Sequence, residues 1–148
     1  MSGIERFLSR GDHQALVEEY RDLDNSEDRL AWLMERPSFH PELSPELLVP
    51  ERKVPGCLSG LWLHSFVQDG HCHFAAKSES DMVQGIASFI CDLYSARTPE
   101  EVLEVGDALV HVLALERLLS TTRKRAVSSS VAFIIHTARE ASGHRLAV

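Results

Sequence analysis

Two β-prone runs, Leu61 to Val67 and His71 to Ala76, flank Asp69-Gly70, a dipeptide that favours a two-residue hairpin turn. Every other segment has to fold around that hairpin. If Gln68 faces His71, then Leu61, Leu63, Ser65 and Val67 share a face with Cys72, Phe74 and Ala76, while Trp62, His64, Phe66, His71 and His73 lie opposite. The first set is the more apolar and is the expected core face. Arg52 to Pro55 is expected to add an edge strand, giving a small antiparallel sheet of about three strands.

The segments on either side read as helix. Ser2 and Glu5 have capping-box spacing for a short opening helix, and Asp12 is placed to cap a second that carries Leu16, Val17, Tyr20 and Leu23. Ser26 is the expected cap of a helix over Glu27 to Glu35, ended by Pro37. Five of the six prolines fall in 37–55, so that stretch must be extended or looped, with at most one short turn over Pro45 to Leu48 behind a Ser44 cap. After the hairpin, Ser78 with Asp81 is expected to cap a helix to Tyr94 that is apolar on more than one face and therefore central. Thr98-Pro99-Glu100-Glu101 combines an N-cap, a first-turn proline and a box-completing glutamate. One or two short helices follow within Asp107 to Leu119, and Ser120 is the expected cap of a last helix with Val127, Val131, Ile134, Ile135 and Ala138 at helical spacing. The order helices, sheet, helices predicts an α+β fold with helices packed on one side of an antiparallel sheet.

At 148 residues, 44% of them hydrophobic, the chain is expected to form a single domain over 1–148 with its own core. A formal net charge of -7 without a basic stripe argues against nucleic acid or an anionic membrane as the main partner. Three cysteines without a CxxC pair suggest neither a disulfide framework nor a zinc ribbon, and reduced thiols are the simpler expectation. The N-terminus lacks an apolar signal core and no apolar stretch approaches the ~20 residues that span a bilayer, so the expected location is cytoplasmic.

The candidate chemistry centres on Cys57, in Val54-Pro55-Gly56-Cys57-Leu58-Ser59-Gly60-Leu61-Trp62-Leu63. Gly56 permits positive φ and close approach of another protein, Pro55 fixes the entry, and Gly60 supplies a second pivot. Nucleophilic sulfur chemistry needs thiolate, which nearby cations or oriented donors favour, and Arg52, Lys53 and the Ser59 hydroxyl are close in sequence. The residues alone leave two readings open: a presented thiol, or a small hydrophobe buried under a loop. Cys72 on the core face and Cys91 inside an apolar helix are expected to be core residues. His64, His71 and His73 share a face, but zinc would need a further ligand and Cys72 points away, so a solvated polar face is expected and no metal site. A cysteine hydrolase would need a histidine beside Cys57 oriented by Asn or Asp, and no local signature of one is present. Arg123, Lys124 and Arg125 lie at the unfavourable end of a helix dipole for cations and read as a charged solvated surface.

These residues together resemble the SufE family of sulfur-acceptor proteins, which includes CsdE. Val54 to Leu63 resembles the family's Val-Pro-Gly-Cys-Gln-Ser-Gln-Val-Trp-Leu, and Asp69-Gly70, Phe74, Ser78-Glu79, Val83, Gly85-Ile86, Tyr94-Ser95 and Thr98 to Leu103 follow in matching order. The resemblance implies a fold shared with IscU-type scaffolds and an active cysteine on a loop at the sheet edge, which by position is Cys57. That cysteine would take the terminal sulfur of a persulfide made by a pyridoxal-phosphate-dependent cysteine desulfurase, stimulate that enzyme, and pass sulfur to an iron-sulfur assembly scaffold. The implied protein is an accessory sulfur carrier rather than an enzyme, with no cofactor of its own. Gly56, Ser59 and Gly60 would shape its loop, and Arg123 and Glu79 would contact the partner. Leu58 and Gly60 replace the family's glutamines, and Lys77 stands where an aspartate is common. Leu113 to Val127 resembles Leu-Gly-Leu-Glu-Glu-His-Leu-Ser-Pro-Ser-Arg-Arg-Asn-Gly-Leu without the histidine, proline or asparagine-glycine pair. A divergent desulfurase-binding adaptor that carries no sulfur, and an IscU-like metal or cluster scaffold, are the alternatives.

Overall fold

The computed structural model describes residues 3–9, 11–36, 40–57, 59–121 and 123–146. Among the described residues the sheet is the hairpin alone: β1 (Leu61–Gln68) and β2 (His71–Ser78) pair antiparallel, with Gln68 opposite His71 and Leu61 opposite Ser78. The turn takes positive φ at Asp69 (53°) and Gly70 (78°), as a type I′ connection requires.

The expected third strand is reduced to one bridge, Lys53 against Trp62, with Val54 N–H donating to Leu61 O at 2.8 Å. Proline is the physical reason. Pro50 opens a 3-10 turn through Arg52 and Pro55 has no N–H, so only Val54 between them can donate to β1. The outer edge of β2 is covered by other means. Cys72 exchanges backbone bonds with Ala96 and Arg97, the Ser95 hydroxyl takes the Phe74 N–H, His40 Nε2 takes the Ala76 N–H, and the Gln84 amide serves both Ala76 O and Ser78 N–H. One row of backbone groups that would otherwise template another chain is thereby satisfied.

Among the described residues seven helices surround the hairpin: α1 (Gly3–Leu8), α2 (Gly11–Arg21) and α3 (Ser26–Glu35) before it, then α4 (Asp81–Tyr94), α5 (Pro99–Val105), α6 (Ala108–Val112) and α7 (Lys124–Leu146). Short 3-10 turns at Pro45–Leu47 and Leu115–Leu118 complete the described elements. α4 is the buried centre, with Val83 through Cys91 all inside, and it packs on β2, α3 and α7. Gly85 makes the α3 contact, since a Cβ there would lie 2.5 Å from Leu33 O.

Three caps differ from expectation. Asn25, not Ser26, caps α3 by accepting from Asp28 N–H, because Ser26 is already helical. Ser80, not Ser78, caps α4 through Val83 N–H; Ser78 is the buried last residue of β2 and its hydroxyl takes the Ser80 N–H instead. α2 already begins at Gly11, so Asp12 lies within its first turn. Thr98 and Glu101 form the reciprocal box that starts α5. Ser44 sits at the N-cap of its turn without a side-chain bond to the backbone there, and α7 starts at Lys124, with Arg123 and Lys124 N–H donating to Ser120 O. Ser2 and Pro37 lie outside the described residues.

The two hairpin faces divide largely as the alternation predicts. Leu61, Cys72, Phe74 and Ala76 are buried in the cluster that also holds Phe7, Tyr20, Leu33, Phe89 and Ile134. Val67 is 49% exposed although it lies on the core side, because the turn end of the hairpin reaches beyond the helices. Trp62, on the opposite side, is buried: Val49 O accepts its indole N–H at 3.0 Å and the Lys53 ammonium sits 5.2 Å from its ring centroid.

Candidate functional site

The loop carrying Cys57 leaves the sheet at the Lys53–Trp62 bridge and returns at Leu61, so a short ring of residues is fixed at both ends. Gly56 turns it with φ +82°, a conformation costly for any residue with a Cβ. Cys57 is a free thiol, half-buried and packed against the edge of the core. It is thus sheltered by the fold without being enclosed in it, which lies between the two readings the sequence leaves open. Ser59, two residues on, is also half-buried.

Two side chains from outside the loop lie on its glycines. A Cβ built at Gly56 would fall 2.9 Å from Arg125 Cζ and 3.0 Å from its Nε, so the guanidinium of the first turn of α7 rests on that backbone. A Cβ at Gly60 would overlap the Glu79 carboxylate and approach the Trp62 ring. Glu79 follows β2, donates its N–H to Gly60 O at 3.0 Å, and pairs with Lys53 at 3.6 Å. Absence of a side chain at each glycine is therefore what lets a charged group close over the loop. Arg123, of the same basic triplet, lies on the first turn of α4, with Nη1 3.3 Å from Met82 Sδ.

Glu79 thus lies on Gly60 of the Cys57 loop, whereas Arg123 contacts Met82. Arg125 is the neighbour that sequence reasoning missed. Its signal was the anomaly itself: three cations at the positive end of a helix call for an outside reason to be there.

The other thiols cannot serve. Cys72 and Cys91 are fully buried, and burial with Asp92 next in sequence pushes the Cys91 thiol far above its ordinary range. His64, Phe66 and His73 form an open aromatic row on the solvent face, with the His73 ring stacked on Phe66 at 4.8 Å. Among the described residues no three His, Cys, Asp or Glu side chains converge to hold a metal ion. No sequence motif pointed to His40, which is buried with Nδ1 2.8 Å from Asp92 Oδ1, itself held by Arg36 at 2.7 Å. Because Nε2 accepts the Ala76 N–H at 2.9 Å, the proton is on Nδ1 and both nitrogens are committed to the fold. This His–Asp pair supports a strand edge and has no nitrogen left for a thiol.

The family described as "SufE: Fe-S metabolism associated domain" matches residues 14–138, a span that contains the whole Cys57 loop, Glu79 and Arg125. The chain belongs to the SufE family. An uncharacterized SufE-like protein of Rhizobium etli is 28% identical over 122 residues, 78% of this chain and 82% of that one. Chloroplastic quinolinate synthases of Arabidopsis thaliana and Nicotiana tabacum are 32% and 34% identical over 93 and 92 residues, 62% and 61% of this chain. The chain matches only 13% of the length of these plant enzymes. Among solved structures, the solution structure of a hypothetical protein from Thermus thermophilus superposes with a TM-score of 0.71 at 20% identity, covering 88% of this chain and 95% of that one. That likeness concerns the fold, an antiparallel hairpin packed against helices. SufE membership ties the chain to iron-sulfur metabolism. Among the described residues no helix is long and apolar enough to cross a membrane.

Proposed function

We propose that this SufE-family chain, acting as one domain over 1–148, is a persulfide carrier and activator for a cysteine desulfurase, with Cys57 as acceptor. The observation that carries this reading is the half-sheltered free thiol on a glycine-pivoted loop, within the family match. In the transfer, the Cys57 thiolate attacks the outer sulfur of the donor's Cys–S–SH. A new S–S bond forms at Cys57 Sγ, the donor S–S bond breaks, and the donor cysteine leaves as thiolate and takes up the proton lost by Cys57. No oxidant or reductant is consumed. Pyridoxal phosphate belongs to the donor, and the carrier works without a resident cofactor.

Partial shelter suits both halves of this task. A carried persulfide held against the core edge resists adventitious reduction, while Gly56 and Gly60 let the loop swing outward toward donor or acceptor. Glu79 and Arg123, both exposed beside the loop and the start of α4, are the proposed partner contacts. Three free cysteines fit a reducing cytoplasmic setting, and an iron-sulfur assembly scaffold is the proposed recipient.

The test is incubation with a cysteine desulfurase and cysteine, without reductant, followed by mass spectrometry of the alkylated Cys57 peptide. A gain of one sulfur atom at Cys57 is expected, and Cys57→Ser should neither gain it nor stimulate sulfide release. Equal stimulation by Cys57→Ser would reduce the chain to a docking adaptor.

A further inference from the structure

Arg125 stands where the resembling family stretch has an asparagine, and the fold places that departure against the reactive loop. Its guanidinium reaches back from the first turn of α7 to lie on the Gly56 backbone, one residue from Cys57, with Cζ, Nε and Nη1 at 2.9, 3.0 and 3.1 Å from where a Cβ would be. An asparagine, two methylenes shorter, could not extend to that contact. The neighbouring cations are otherwise engaged. Lys53 is shared between Glu79 and the Trp62 ring, and Arg123 lies on Met82. Among the described residues Arg125 has no carboxylate partner.

We infer that Arg125 is a positioning residue for the Cys57 loop, whose guanidinium holds positive charge beside the sulfur and favours the anionic persulfide formed there. The inference rests on the proposed sulfur-transfer reading. Loading converts Cys57–S⁻ and donor Cys–S–SH into Cys57–S–S⁻ and donor Cys–SH, so charge is conserved but moves outward by one sulfur atom. A guanidinium is permanently charged and planar, which suits it to lie flat on a glycine while its edge faces an anion. The closed loop would then be the state in which charge on the carried sulfur is best compensated, and handing that sulfur over would require leaving Arg125.

The test separates charge from mere packing. Purified protein is treated with two thiol probes, the dianionic 5,5′-dithiobis(2-nitrobenzoate) and the neutral 4,4′-dithiodipyridine, and the ratio of their rates at Cys57 is taken. Arg125→Asn should lower the anionic-to-neutral ratio roughly fivefold at low salt, the order expected when one unit of positive charge beside an anionic probe is removed in water. Arg125→Lys should keep most of the ratio, Arg139→Asn on the same helix should leave it unchanged, and salt should erase the difference. With a desulfurase and cysteine, Arg125→Asn should load Cys57 more slowly and lose the persulfide sooner. Equal ratios in wild type and Arg125→Asn, or equal loading and lifetime, overturn the inference while leaving the carrier reading intact. Failure of wild-type Cys57 to load with any desulfurase overturns the carrier reading itself, and the persulfide role of Arg125 with it.

Discussion

At the scale of single residues, the loop depends on two glycines for different reasons. Gly56 needs its positive φ, so Gly56→Ala should cost about 1–2 kcal/mol in urea unfolding from backbone strain alone, and should push the Arg125 side chain off the loop. The anionic-probe preference should fall with it. Gly60 does not have a positive φ; its missing Cβ makes room for the Glu79 carboxylate and the Trp62 ring. The Lys53–Glu79 pair is largely exposed and contributes little, so Glu79→Ala alone should change stability by less than about 1 kcal/mol. If Gly60 is small because Glu79 closes over it, Glu79→Ala should recover most of what Gly60→Ala loses. Simple additivity in that double-mutant cycle would show that the carboxylate is not what the glycine accommodates.

Among the elements, glycine again decides, this time between helices. Gly85→Ala would drive a Cβ to 2.5 Å from Leu33 O, a backbone atom that can yield only by moving α3, so overpacking should cost about 1–3 kcal/mol. Gly143, exposed on α7 with nothing within 4 Å of its would-be Cβ, should respond oppositely, gaining about 0.5–1 kcal/mol from Gly143→Ala. Chemical denaturation of the two variants checks this, and a shared sign would contradict the packing described. Gln84→Leu should cost about 1–3 kcal/mol or more, since it strands Ala76 O and Ser78 N–H at a buried sheet edge. These elements also show where sequence was informative. Hairpin register was legible because the turn dipeptide and the alternation agree, and the α5 start because its box is contiguous. The missing third strand was hidden because Arg52 to Pro55 has strand-like neighbours, whereas the decisive fact is which N–H groups its prolines remove. The roles of Gln84, His40 and Arg125 were illegible for a different reason. Each acts across the fold on a strand edge or loop distant in sequence, and neither periodicity nor local motif encodes a long-range side-chain partner. The turned loop that carries Cys57 was readable because its glycines sit beside it.

Across the whole molecule, the three thiols report two depths of one structure. Cys57 rests at the core edge on a loop bonded to the sheet at its two ends, so local opening should expose it without disturbing the rest. Cys72 lies in β2, its backbone bonded on the outer edge to Ala96 and Arg97, and Cys91 is enclosed in α4 with its thiol held protonated by burial. Reaching either requires parting the hairpin from α4, which is the unfolding of the core itself. Alkylation of the native protein should therefore modify Cys57 rapidly and almost independently of low urea. Cys72 and Cys91 should label slowly and together, with a urea dependence equal to that of global unfolding. The same hierarchy limits sulfur loading: a desulfurase acting on folded protein should add sulfur to one cysteine out of three, and partial denaturation should not raise the yield at Cys57. Peptide-resolved mass spectrometry after timed alkylation measures all three rates at once. Labelling of Cys72 in step with Cys57 would mean that the sheet opens with the loop, and that the acceptor is not insulated from the fold that carries it.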